Sequence, residues 1–138
     1  MSYDRKQLMA ELERDERREH KPYKDSEGYL TIGIGWNLDA NPLPDEVIDR
    51  LLQISIGRAE LDLDFLFPNW RAWAPRRQRA LLNMAFNMGR ATLAGFHGMR
   101  RAIAAGDWEL AAQEAMDSKW ARQVGARATR IEIALREG

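Results

Sequence analysis

The chain has 138 residues, 21 Lys+Arg balanced by 21 Asp+Glu, two histidines and no cysteine. That length suits one domain with room for two lobes and a core that needs no covalent staple, and the lack of cysteine removes disulfides and thiolate chemistry. Two histidines and the absence of EF-hand spacing leave no zinc or calcium signature. No apolar run could span a membrane, and the charged start "MSYDRKQLMAELERDERREH" does not read as a secretory signal.

The elements follow in chain order. Ser2 can cap a first helix carrying Leu8, Met9 and Leu12 on one face. "KDSEG" is turn chemistry, and "YLTIGIGW" has strand-forming residues interrupted by Gly33 and Gly35, so a small antiparallel sheet is expected. "NPLP" breaks the chain. Pro44 then opens a long helix with Asp45 and Glu46 in its first turn. "ELDLDFLF" alternates like a strand, but Leu61 and Phe65 also fit a helix, which is the preferred reading up to Pro68. Pro75 opens a helix that Gly89 should stop, a shorter one ends at Gly106, Asp107 caps the next, and a last helix runs through "RATRIEIAL". Met84, Phe86, Met88, Trp108 and Trp120 read as core. The fold class is α+β, a small sheet-bearing lobe joined by one long helix to a helical lobe.

Charge is unevenly spread. Residues 1–68 carry nine Lys+Arg against fifteen Asp+Glu, and residues 69–138 carry twelve against six. The basic second half suits an anionic polymer, either nucleic acid or cell wall, with Arg76, Arg77 and Arg79 as a candidate contact. The alternative is a solvated charged surface.

"YKDSEGYLTIGIGW" crowds Asp25, Glu27 and Thr31 among three glycines, just after a helix ending "ERDERRE", and this stretch carries the candidate chemistry. Glycoside hydrolysis needs one carboxylic acid to protonate the leaving oxygen. Its inverting form needs a second carboxylate roughly 6.5–9.5 Å away to activate water on the opposite face of the sugar. A hydroxyl beside that base can fix the water. An acid at a helix end, another on a turn and a hydroxyl on the following strand would suffice, but surface turns are rich in Asp, Glu and Thr.

The sequence resembles the phage lysozymes of the T-even type, glycoside hydrolase family 24. Their pattern is a Glu, eight residues, an Asp, five residues and a Thr, within "YKD(S/T)EG…TIGIGH"; Glu16, Asp25 and Thr31 stand at that spacing in "YKDSEGYLTIGIG". "ALLNMAFNMG", "AGFHGMRRAIAAGDWELAA" and "SKWARQVGARATR" continue the likeness through most of the chain. The resemblance implies a single lysozyme-like domain over 1–138, with lobes at 12–43 and 69–138, a linker helix at 44–66, and the N-terminal helix packed on the C-terminal lobe. It implies a muramidase with Glu16 as general acid, Asp25 assisting the water or stabilising positive charge, and Thr31 holding the water. Arg127 would lie near the acid, its alternative being helix packing and a surface ion pair. Phe86 and Asn87 would help form the cleft wall, with core packing the competing role for Phe86. Glu11, Glu13 and Glu19 read as solvated helix charges, Glu27 as a turn residue and His20 as surface.

Trp36 stands where the family has His, and is expected to pack against apolar residues such as Ile54; the segment from Trp36 to Pro44 is short for the family. The implied enzyme is a monomeric endolysin that needs no metal or cofactor. Its partner is the peptidoglycan glycan strand, with no nucleic acid and no membrane insertion. It would wait in the host cytoplasm until a holin releases it. The rivals are a lysozyme domain of a phage tail or injected particle, and a catalytically silent peptidoglycan-binding module.

Overall fold

The computed structural model describes residues 2–138. The molecule is mostly helical with one three-stranded antiparallel sheet, in agreement with the α+β class. Its internal contacts divide it into two units, Met1–Asp49 and Arg50–Gly138.

In the first unit Asp4, not Ser2, caps the leading helix. Its carboxylate accepts from the Gln7 N–H at 3.1 Å, satisfying one of the amides that a helix start leaves open, and α1 runs Arg5–Glu16. The helix stops where Arg17 turns to φ 66°, ψ 163°. Strands β1 (Glu19–Lys24), β2 (Leu30–Gly33) and β3 (Trp36–Asn37) follow in sheet order, so β2 is central. Thr31 faces Tyr23 on one side and Asn37 on the other. Gly33 and Gly35, at φ 69° and 72°, let the chain reverse between β2 and β3, a backbone region that costs glycine little. After β3, the Trp36 indole N–H donates to the Asn41 carbonyl at 3.1 Å.

Helix α2 covers Asp45–Leu66, and the boundary between the units falls inside it. The segment with two possible readings is helical. Its buried stripe is Ala59, Leu63 and Leu66, at spacings of four and three, whereas Leu61 and Phe65 are 61% and 68% exposed. The strand-like alternation therefore came from two outward-facing apolar residues.

The second unit continues with a 3-10 turn at Trp70–Ala72 and helices α3 (Pro75–Ala94), α4 (His97–Ala104), α5 (Trp108–Met116), α6 (Lys119–Val124) and α7 (Ala126–Glu137). Gly89, at φ 82° and ψ 169°, breaks α3 but does not end it; helical structure resumes as far as Ala94. Asp107 caps α5 as expected, and Ser118 caps α6 through the Ala121 N–H. Helix α5 packs on α4 and α7, and α7 also packs on α3. Leu63, Leu81, Met84, Leu93, Met99 and Leu135 fill the core. Met84 and Trp120 are buried as expected, and Met88 and Trp108 lie partly buried against the core. Phe86 is 48% exposed, so the core reading fails for it.

Arg76, Arg77 and Arg79 do not act as one cluster. Arg77 donates to the Leu135 and Arg136 carbonyls at 2.9 and 3.0 Å, and its guanidinium lies 4.6 Å from the Trp108 ring centroid. It serves α7's last turn, where unpaired carbonyls need donors. Arg76 instead forms an exposed ion pair with Glu137 at 3.2 Å. Arg77→Ala should lower unfolding free energy by about 2 kcal/mol, because charged hydrogen bonds contribute about 1.5–3 kcal/mol. Arg76→Ala should cost less than about 1 kcal/mol. Urea denaturation of the two variants checks the contrast.

Candidate active site

The three residues singled out by spacing all belong to the first unit. Asp25 lies just beyond β1, where the chain must turn. Its Oδ1 accepts from the Glu27 and Tyr29 N–H groups, both at 2.9 Å, and its backbone carbonyl accepts from Gly28 N–H at 3.0 Å. This is the local bonding for which Asp is favoured in turns. Oδ1 is thereby committed to the fold, and the turn bonds leave Oδ2 for other partners.

Thr31 sits at the centre of β2 and is 3% exposed. Its hydroxyl donates to the Tyr29 carbonyl at 3.0 Å. The same carbonyl accepts from the Asp25 N–H at 2.9 Å. One peptide group, that of Tyr29, therefore binds both Asp25 and Thr31. With its proton directed at Tyr29, the Thr31 oxygen retains acceptor capacity only, which suits a hydroxyl that receives a hydrogen bond from water.

Glu16 is the last residue of α1 and its side chain is exposed. Two backbone features hold it. Arg17, directly after it, is the only non-glycine residue at positive φ among the described residues. For a residue with a Cβ, such a conformation costs on the order of 1–3 kcal/mol and persists only where surrounding structure imposes it. Here the Arg17 N–H donates to the Glu13 carbonyl at 2.8 Å, and its guanidinium stands 5.7 Å from the Tyr23 ring centroid. The second feature is Gly35. A Cβ at that position would lie 3.0 Å from Glu16 Oε2 and 3.2 Å from Cδ. The Glu16 carboxyl thus rests on bare backbone between β2 and β3. The other acidic residues of α1 do not share this place; Glu13 pairs with Arg18.

The remaining candidates belong to the second unit. Arg127 donates to Asn83 Oδ1 at 2.7 Å and to the Asn83 carbonyl at 3.4 Å, and forms no ion pair among the described residues. Arg127 and Phe86 line one groove of about 420 Å³ with Leu52, Ile56, Arg79 and Asn83. Asn87 is not part of that lining; its Oδ1 accepts from the Trp120 indole N–H at 2.7 Å. Spacing did not reveal Tyr29 or Gly35, since both act through backbone. Gly35 could have been suspected from the glycine-interrupted strand.

The sequence model of the phage lysozyme family matches residues 13–132, a span that contains Glu16, Asp25 and Thr31. The chain belongs to the phage lysozyme family. It is 36% identical, over a 159-residue alignment, to the pre-baseplate central spike protein Gp5 of Enterobacteria phage T4. That alignment covers 94% of this chain and 28% of the spike protein, so the chain spans little more than a quarter of that relative's length. It is also 27% identical to the probable T4-type lysozyme 2 of Dictyostelium discoideum, across 87% of this chain and 88% of that protein.

In this member of the family, the three turn glycines separate backbone cost from contact with the acid. Gly28, Gly33 and Gly35 all have positive φ, but a Cβ at Gly28 or Gly33 meets nothing within 4 Å. Alanine at each position should cost about 1–2 kcal/mol of stability. Only Gly35→Ala should also displace the Glu16 carboxyl and, with Glu16 in the acid role proposed below, lower the lysis rate of the folded protein by about tenfold or more, since small misplacements of reacting groups are costly. Equal activity per folded molecule in Gly33→Ala and Gly35→Ala, with circular dichroism as control, would show that the contact with Glu16 has no role.

Proposed function

We propose that the chain is a muramidase, which hydrolyses the β-1,4 bond between N-acetylmuramic acid and N-acetylglucosamine in peptidoglycan. The observation that carries this reading is the bonding of Asp25 and Thr31 to one Tyr29 peptide, with Glu16 at the family spacing and seated on Gly35. In the proposed reaction Glu16 gives its proton to the glycosidic oxygen as the C–O bond breaks. Asp25, through the oxygen not bound in the turn, takes a proton from water as that water attacks the anomeric carbon. Thr31 accepts the water's other hydrogen and aims its lone pair. Attack from the face opposite the leaving group inverts the configuration. Proton exchange with solvent then restores both carboxyl groups. Arg127 and Phe86 are proposed to contact the glycan, and the basic charge of the second half supports an anionic wall polymer as substrate.

Two variants test the chemistry without disturbing the turn. Glu16→Gln keeps size and hydrogen bonding but has no proton to give; the loss should be on the order of 10²–10⁴-fold. Asp25→Asn keeps an oxygen for the Glu27 and Tyr29 amides while removing the base, so it should fold normally and be severely impaired. New reducing ends released from purified walls measure activity. Near-normal release by a folded Glu16→Gln protein would remove Glu16 as the acid, and release of amino termini would point to a peptidase or amidase.

The likeness to a phage spike protein across 94% of the chain favours a second reading of the setting, in which this lysozyme unit travels with the phage tail and opens the wall from outside. The other reading is an endolysin held in the host cytoplasm until a holin releases it. Immunoblotting of gradient-purified virions separates them. The tail reading places the chain in the particle at constant copy number, whereas the endolysin reading leaves it in the particle-free lysate.

A further inference from the structure

The helical unit has a second concavity, of about 450 Å³, between the end of α2 and helix α4. It shares no lining residue with the groove that holds Arg127 and Phe86. Its lining includes His97, Arg100 and Arg101 from α4, and Phe67, Asn69 and Trp73 from the segment after α2. None of its lining residues is acidic.

Some arginines of the unit are engaged by acids, and those of this pocket are not. Arg71, Arg76, Arg90 and Arg136 each face a carboxylate. Arg100 and Arg101 form no ion pair among the described residues. Arg100 is held in place all the same. It donates to the Ala94 carbonyl at 2.9 Å, and its guanidinium lies 6.0 Å from the Phe67 ring centroid. That fixes one planar donor fork at the pocket wall, with further N–H groups to offer. Arg101 is exposed beside it. The aromatic wall is also fixed. Trp73 meets Phe67 edge-on at 5.5 Å and Trp108 at 5.0 Å, and remains half-buried.

A pocket lined by two guanidinium groups, an imidazole, an indole and an amide matches two features in one ligand. The cationic side takes a tetrahedral oxyanion through forked hydrogen bonds. The aromatic side takes a body with an apolar face and a polar rim, and Asn69 can both donate to and accept from hydroxyls. We propose that this pocket binds a phosphorylated saccharide or polyol, as found in phosphate-bearing glycolipids or polyol-phosphate polymers of bacterial envelopes. It would add an anchoring contact to the envelope, separate from glycan hydrolysis.

The test uses the full chain carrying Glu16→Gln, so that binding is read without hydrolysis and stands or falls apart from the muramidase assignment. Glucosamine 6-phosphate is titrated while backbone amide shifts are followed by NMR. Shifts should concentrate at residues 97–104 and around Trp73. Glucosamine, glucuronate and inorganic phosphate should each bind at least about tenfold more weakly, a difference of about 1.4 kcal/mol. Arg101→Glu, at an exposed position, should abolish the response without changing the fold. Arg101→Lys should retain it in weakened form, since the charge persists while the fork is lost. Retention by both Arg101 variants, equal binding of glucuronate or inorganic phosphate, or shifts confined to the Phe86–Arg127 groove would each overturn the proposal. Pull-down with poly(glycerol phosphate) and with phosphorylated lipopolysaccharide then identifies the source, the expected binder losing its hold when its phosphates are removed.

Discussion

The backbone of a single residue, Tyr29, fixes the acidic turn. Its carbonyl accepts from Asp25 N–H and from the Thr31 hydroxyl, and its N–H donates to Asp25 Oδ1. These bonds do three things together. They close the connection between β1 and β2, set the register in which Tyr23 faces Thr31, and orient the two side chains proposed to manage water. Without them the carboxylate would turn freely on a surface turn and the buried hydroxyl would lose its fixed direction, and the entropy of aligning them would fall on the reaction step. Glu16 depends on the same stretch one turn later, because its carboxyl rests on Gly35 just after β2.

The helical unit is held by different physics. Its core relies on large buried aliphatic side chains from several helices and on alanines that let α5 approach α4 and α7 closely. The buried residues of this unit are all apolar among the described residues, and close-packed interiors of that kind deform little. That rigidity lets exposed groups keep defined positions. Phe86, on the outer side of α3, and the Arg127–Asn83 pair are presented in this way.

The sequence was legible where local chemistry decides structure. Pro44 and Pro75 stand just before or at the starts of α2 and α3, and Asp107 caps α5. Glu16, Asp25 and Thr31 were singled out by the spacing of the family that the sequence resembles. Reading failed where several residues compete or where backbone supplies the contact. Ser2 and Asp4 both qualify as caps, and Asp4 is the one that reaches an amide. Leu61 and Phe65 have core chemistry but lie on the outer face of their helix. Phe86 was pulled between core and groove, and composition cannot decide which side of a helix faces the packing. Arg77 looked like surface charge beside Arg76, yet its targets are carbonyls almost sixty positions away. Tyr29 acts through its peptide group and Gly35 through the absence of a side chain, so neither announces itself by residue type.

The double commitment of Asp25 bears on how such an enzyme can evolve. Active-site charges are commonly a burden to the fold, and populations selected only for robustness tend to lose them. In this turn most replacements of the acid also remove the acceptor that organises Glu27 and Tyr29, so a lineage that discards the chemistry loses folding robustness as well. An isosteric amide separates the two cleanly, and a hydroxyl does so only with a weaker acceptor. Decay toward a silent binding module is therefore confined to a narrow mutational path, and selection for a sound fold incidentally conserves the carboxylate proposed to activate water.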